Sequence, residues 1–191
     1  MNFGPVYCYF ADNCSEDLST DELLKQIASN IRAAKAEWKF ITFHIPALNF
    51  GGHTSKWGYP NALPVFAKAG ADFVICGHSH MYERFKPVAP PIYSGASFVT
   101  YITTGGGGAP LAKKPNRSNF YAAAENIFHF CLFHIKGNTL TMDTIDIDGN
   151  VIDHLEITKT GGKLNGEYLQ TSVPMAEVLA EQRVRKESIM Q

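Results

Sequence analysis

Gly77-His78-Ser79-His80 sets two imidazoles two residues apart, directly after the strand-like run Asp72 to Cys76. Side chains at i and i+2 share a face within a strand, and just past its end the backbone is free to splay them. The two rings are therefore able to serve one metal ion or two neighbouring ones. Neutral imidazole suits zinc, iron, manganese and nickel. His44 closes a second such run, Lys39 to His44, and is able to converge on the same point. Gly77 lets the backbone pass close to whatever the histidines hold. Three of the seven histidines thus fall at the ends of two strand-like segments. The spacing leaves two readings, a metal site or ordinary hydrogen-bonding groups at strand ends.

The elements that must position these residues are legible around them. Pro5 to Phe10 is aromatic and β-branched, which predicts a strand. Ser19 stands three residues before Glu22, a capping box. Leu23, Ile27, Ile31, Ala34 and Trp38 then recur at helical spacing, which predicts a helix over Thr20 to Glu37. Between the strand ending at His44 and a short helix over Pro64 to Ala69 lies a long Gly/Pro/Asn/Ser-rich loop, Ile45 to Asn61. Function is the usual reason for a loop of that length. The alternation strand, helix, strand, helix, strand marks a parallel sheet with crossover helices, whose ligands sit beyond the carboxyl ends of the strands. The second half reads differently. Phe98 to Thr104 predicts a strand ending in Gly105 to Gly108. Ile127 to Ile135, Thr139 to Ile147 and Val151 to Thr158 predict an antiparallel meander in a second sheet, turned at Gly137-Asn138 and Asp148-Gly149. Lys159 to Thr171 is polar. Val173 to Ser188 predicts a surface helix with Met175, Val178, Leu179 and Val184 as its apolar stripe.

Composition narrows the classes. The 191 residues are enough for one sizeable core. The 17 basic and 18 acidic side chains leave a net charge of -1, which excludes the positive excess of a nucleic-acid-binding surface or a polybasic membrane binder. No apolar run reaches the ~20 residues of a membrane span. The residues after Met1 lack the basic and apolar regions of a signal peptide. Cys8, Cys14, Cys76 and Cys131 form no Cys-x-x-Cys pattern, and the three in strand-like runs read as core thiols. Asn13-Cys14-Ser15 and Asn116-Arg117-Ser118 match the glycosylation pattern, which three residues match often by chance. Gly105 to Gly108 lacks the Gly-Lys-Ser/Thr of a phosphate cradle and reads as a loop near the site. Thr144 to Leu155 lacks the first and twelfth ligands of a calcium loop and reads as a hairpin. His129 and His134 have opposite parity in one strand and do not meet. Lys113, Lys114 and Arg117 form a small basic loop.

The blocks FITFHIP, GGHTSKW, FVICGHSHMYER and YITTGGGGAPL, in that order, resemble the calcineurin-like metallophosphoesterases, above all the purple-acid-phosphatase branch. The resemblance runs from about Asn2 to about Thr158. It makes 1–158 the C-terminal half of a catalytic domain and 159–191 a polar linker with a surface helix. It implies an α/β (α+β) fold class, part of a helix-flanked β-sandwich. It also implies a centre of two iron, zinc or manganese ions that hydrolyses phosphate esters. In that pattern His44 and His78 share one ion and His80 ligates the other. His53 falls near the substrate phosphate, to donate a proton or a hydrogen bond, and Glu83 and Arg84 form a supporting ion pair. The family's Asp-x-His, Gly-Asp and Gly-Asn-His blocks do not occur in this sequence. The resemblance therefore implies missing N-terminal strands and at most one ion held by this chain alone. The alternative is a truncated or degenerate non-catalytic module that binds a single metal ion or a partner chain. The expected gap would expose a hydrophobic edge along Pro5 to Phe10 and Phe40 to His44, inviting self-association or a complementary N-terminal half. Intact relatives are often exported; the sequence leaves the compartment open.

Overall fold

The computed structural model describes residues 1–53, 55–91, 95–113 and 117–187. Asn116 of the second glycosylation pattern, Lys114 of the basic loop and Ser188 of the expected helix lie outside them. A two-residue strand β1 (Asn2–Phe3) folds back antiparallel on β2 (Val6–Phe10). Helix α1 (Thr20–Ala33) follows, opened by the capping box. The Glu22 amide donates to Ser19 Oγ, and the Ser19 amide to the Glu22 carboxylate. Leu23, Leu24, Ile27, Ala28 and Ile31 form its buried face. The helix ends earlier than its periodicity predicts. Trp38 belongs instead to β3 (Trp38–Phe43), fully buried beside Phe73, with its indole N–H donating to the Gly137 carbonyl. Sheet burial of the indole outweighs its place in the helical repeat.

Next come α2 (Ala62–Ala69), closed by Gly70 in the left-handed conformation, and β4 (Phe73–Cys76). After it come β5 (Tyr82–Phe85), the short β6 (Val88–Ala89), β7 (Thr100–Thr104) and β8 (Tyr121–Glu125). One seven-stranded sheet has the order β1-β2-β3-β4-β7-β5-β8. Its β2, β3, β4 and β7 run parallel, and β5 pairs antiparallel with β7 and β8. β3 lies inside the sheet, while β2 is met on its outer side only by the two residues of β1, opposite Val6 and Tyr7, and Phe3 and Phe10 are exposed along that edge.

The meander forms as predicted. β9 (His129–Lys136), β10 (Thr139–Asp146), β11 (Val151–Thr160) and β12 (Lys163–Leu164) make an antiparallel sheet of four strands. The chain ends with α3 (Gly166–Gln170), β13 (Val173–Pro174) beside β6, and α4 (Met175–Glu187).

Two apolar layers hold these parts together. One face of the large sheet packs under α1, α2 and α4, through Ile27, Ile31, Phe66, Val74, Phe85 and Val178. The other packs on the small sheet, through Trp38, Phe40, Phe73, Leu140, Met142 and Ile157. The arrangement is a helix-flanked β-sandwich. Lys159 of β11 ties the layers where β4 begins, pairing with Asp72 at 2.8 Å and lying over the Trp38 ring. Four free cysteines remain, with Cys8 and Cys76 buried, Cys131 half-buried and Cys14 exposed. No helix among the described residues is long and apolar enough to cross a membrane.

Candidate metal centre

The parallel register of β3 and β4 pairs Phe43 with Cys76, so His44 and Gly77 leave the sheet side by side. Gly77 donates its amide to the His44 carbonyl at 3.2 Å. The chain then turns sharply. His78 takes φ 65, a left-handed conformation unusual for a side chain of its size. The Ser79 amide bonds the Gly77 carbonyl at 2.7 Å, and the Met81 amide the Ser79 carbonyl at 2.8 Å. This strained turn breaks the strand's two-residue alternation and splays His78 from His80.

The four sequence-nominated histidines come together around it. His78 Nδ1 lies 3.3 Å from His44 Nε2. The His53 ring stands 5.7 Å from that of His78 and 5.3 Å from that of His80, centroid to centroid. His80 Nδ1 lies 2.9 Å from the Pro110 carbonyl. A carbonyl only accepts, so Nδ1 is the donor of this pair, which leaves Nε2 as the atom able to ligate a metal. Burial, and then the charges that His44, His53 and His80 would carry, push the His78 pKa down and favour its neutral form. Neutral imidazole is the metal-binding form.

The donor set suits a cation in part. Two nitrogens, each ~2.0–2.1 Å from a tetrahedral zinc ion, lie roughly 3.3 Å apart, which is the His44–His78 separation. No group of three or more His, Cys, Asp or Glu side chains among the described residues converges tightly enough to make a cage.

Ser79, between the two histidines, is fully buried and clamped from two sides. A Cβ on Gly52 would meet Ser79 Oγ at 2.6 Å, and one on Gly105 would meet the Ser79 carbonyl oxygen at 1.9 Å. Gly105 thus belongs to the glycine run because β7 ends against the turn. Gly106 is crowded by His129, while Gly107 and Gly108 have open space. His129 itself is buried, its Nδ1 donating to the Ile127 carbonyl and its Nε2 facing Thr104 Oγ1. His134 is exposed.

Sequence reasoning missed the network beneath the histidines. Asn49 Nδ2 donates to the carbonyls of Gly51 and His53 and to Ser79 Oγ, and Ser79 Oγ donates to Gly51. Asn13 brackets the loop entrance by bonding both the amide and the carbonyl of Ile45. That asparagine is buried, so its glycosylation pattern is spent on the fold. From the far side α4 reaches the same loop. Gln182 donates to the Ala47 carbonyl at 2.8 Å, and Arg185 lies over the Phe50 ring. Met175, Val178 and Leu179 of the expected stripe pack on the core, but Val184 is exposed and the polar Gln182 is buried in its stead. Only long-range pairing identifies such residues.

The expected Glu83–Arg84 ion pair is absent, because neighbouring residues of a strand face opposite ways. Arg84 makes a two-point contact with Asp153 at 2.6 and 2.7 Å, where Tyr82 Oη also donates. Glu83 turns to the loop, accepting from the amides of Phe50 and Gly51.

Residues 5–82 match the family model of the calcineurin-like phosphoesterases. Purple acid phosphatase 3 of Arabidopsis thaliana is 24% identical over 145 residues, which are 72% of this chain and 37% of that protein. Purple acid phosphatase PPD1 from yellow lupin (Lupinus luteus) seeds superposes on 91% of this chain with a TM-score of 0.69 and 19% identity. GAP50, the anchor in the inner membrane complex of Plasmodium, does so over 91% with a TM-score of 0.65 and 18% identity. The chain spans 34% of the lupin chain and 55% of the Plasmodium chain. The ordered histidine blocks, the matched segment of residues 5–82 and the shared sandwich fold agree in their likeness to the calcineurin-like phosphoesterases and, within them, to the purple acid phosphatases.

Proposed function

We propose that the chain supplies histidine ligands to a metal centre that hydrolyses phosphate esters. His44 and His78 hold one ion, and His80 binds a second through Nε2. His53, exposed at the front of the loop, donates a proton or a hydrogen bond to the substrate phosphate. The observation that carries the reading is the pair of facing nitrogens 3.3 Å apart on His44 and His78. Bound ions would polarise the phosphoryl oxygens and activate water for in-line displacement. This chain's own part is to hold the rings. The Pro110 carbonyl fixes the tautomer of His80, and the left-handed turn at His78 aims that ring at His44. The remaining ligands would come from Asp-x-His, Gly-Asp and Gly-Asn-His blocks, carried by a complementary half. Zinc, iron and manganese all suit the imidazole donors.

The test has two arms. The chain, dialysed against zinc or manganese, should retain about one equivalent of metal, and His78→Ala should lose it. Supplied with a segment carrying the three other blocks, it should hydrolyse an aryl phosphate only when metal is present. No retained metal and no metal-dependent turnover would overturn the reading. A second reading, a module without turnover, draws support from the absence of any carboxylate cage among the described residues. The Plasmodium neighbour, described as an anchor, supports it too. Retained metal with no turnover in the completed assembly would decide for it.

A further inference from the structure

Glu83 is 0% exposed, and it is reached by none of the roles assigned above. Its strand neighbours Tyr82 and Arg84 face the small sheet and are spent on Asp153. Glu83 faces the opposite way, into the layer shared by β5, β8, the loop after His44 and α4. Its Oε1 accepts from the Phe50 amide at 3.1 Å, the Gly51 amide at 2.8 Å and Tyr121 Oη. Its Oε2 is buried without a hydrogen-bond partner. The Gly51 peptide is the joint. Its N–H points at Glu83, while its carbonyl accepts from Asn49 Nδ2 and Ser79 Oγ. Asn49 also holds the His53 carbonyl, and Ser79 lies between His78 and His80.

We propose that Glu83 is the positioning residue of the histidine cluster: its carboxylate grips the Phe50–Gly51 peptides and so sets where His53 stands relative to His78 and His80. Charge-assisted bonds to backbone amides in a dry interior are strong and directional. Among the described residues, Glu83 is the one acidic side chain bonded to both peptides.

The same burial makes the grip depend on pH. Desolvation pushes the Glu83 pKa up to about 7, against the downward pull of Tyr121 and the Phe50 and Gly51 amides. The titratable groups around it are Tyr121 on β8, and Arg185 and Glu181 on α4, which pair with each other. The loop side offers only backbone. As pH rises through about 7 the carboxylate forms and the loop tightens. The unfolded carboxyl titrates near its model value of 4.5, so the folded chain binds more protons between the two values. Global stability therefore falls as pH rises through that window. Local grip and global stability move in opposite directions, and it is the local response at Phe50 and Gly51 that reports the positioning role.

The inference rests on the proposed centre only for its meaning, and its test needs neither metal nor turnover. In the metal-free chain, amide shifts and hydrogen exchange of Phe50 and Gly51 are followed by NMR from about pH 5.5 to 8.5. In wild type both amides should share an inflection near 7. In Glu83→Gln the inflection should vanish, and exchange at the upper pH should speed at least about tenfold. Tyr121→Phe keeps the carboxylate and removes a donor, so its inflection should move to higher pH. An inflection that persists in Glu83→Gln, unchanged exchange there, or an unmoved midpoint in Tyr121→Phe would overturn the proposal. A chain that binds no metal passes or fails this test just as clearly.

Discussion

The Nε2 atom of His44 and the Nδ1 atom of His78 face each other at 3.3 Å across 34 residues of sequence. Parallel pairing of β3 and β4 brings the two backbones together, and the left-handed turn at His78 aims the second ring at the first. Two such nitrogens either share a proton or share a cation.

A shared cation predicts strong non-additivity. His44→Ala and His78→Ala should each weaken zinc binding at least about tenfold, and the double variant should lose little more than either single one. His80→Ala should leave that ion's affinity nearly unchanged. Competition against a chromophoric chelator reads all three. Additive losses at His44 and His78 would mean that the two rings serve different ions.

The turn between the histidines depends on glycine where β7 ends. A methyl group on Gly105 would sit 1.9 Å from the Ser79 carbonyl oxygen, whereas nothing lies within 4 Å of one on Gly107. Gly105→Ala should cost about 1–3 kcal/mol in urea unfolding and should weaken metal binding through the displaced turn. Gly107→Ala should stay within about 0.5 kcal/mol of wild type. Equal effects at the two positions would refute this account of the glycine run.

Arg84 and Asp153 join the large sheet to the small one by a buried two-point contact. Removing one partner strands the other charge. Arg84→Met or Asp153→Leu alone should therefore cost about 3–5 kcal/mol, and the two together much less than the sum. Denaturant midpoints check this. Single losses below about 1 kcal/mol would show the bridge to be no stronger than a surface pair.

Much of this was readable from residue order. Each predicted parallel strand exists because β-branched and aromatic runs fit a buried sheet, and the meander follows its Gly-Asn and Asp-Gly turns. The GHSH block and His44 stood out because strand ends gather residues from distant parts of a chain. Local signals ran out where burial decided. Trp38 repeats in phase with α1 yet joins β3, since the sheet offers its indole both an apolar slot and an acceptor. Gln182, a polar residue on a polar helix, carries no mark in its neighbourhood and still reaches Ala47 across 135 residues.

The sequence by itself determined the parallel strands with their crossover helices, the C-terminal meander, the family likeness and the nomination of His44, His53, His78 and His80. Those depend on local composition and on short blocks whose spacing survives in one dimension. It left β5, β8 and α3 unread. Tertiary structure alone decided how the rings face one another, which way Glu83 and Arg84 point, and what holds the loop after His44. Strand alternation sends neighbouring side chains to opposite layers, and each layer's partners are dozens of residues away. Glu83 and Arg84 share one peptide bond; one answers to Gly51, the other to Asp153.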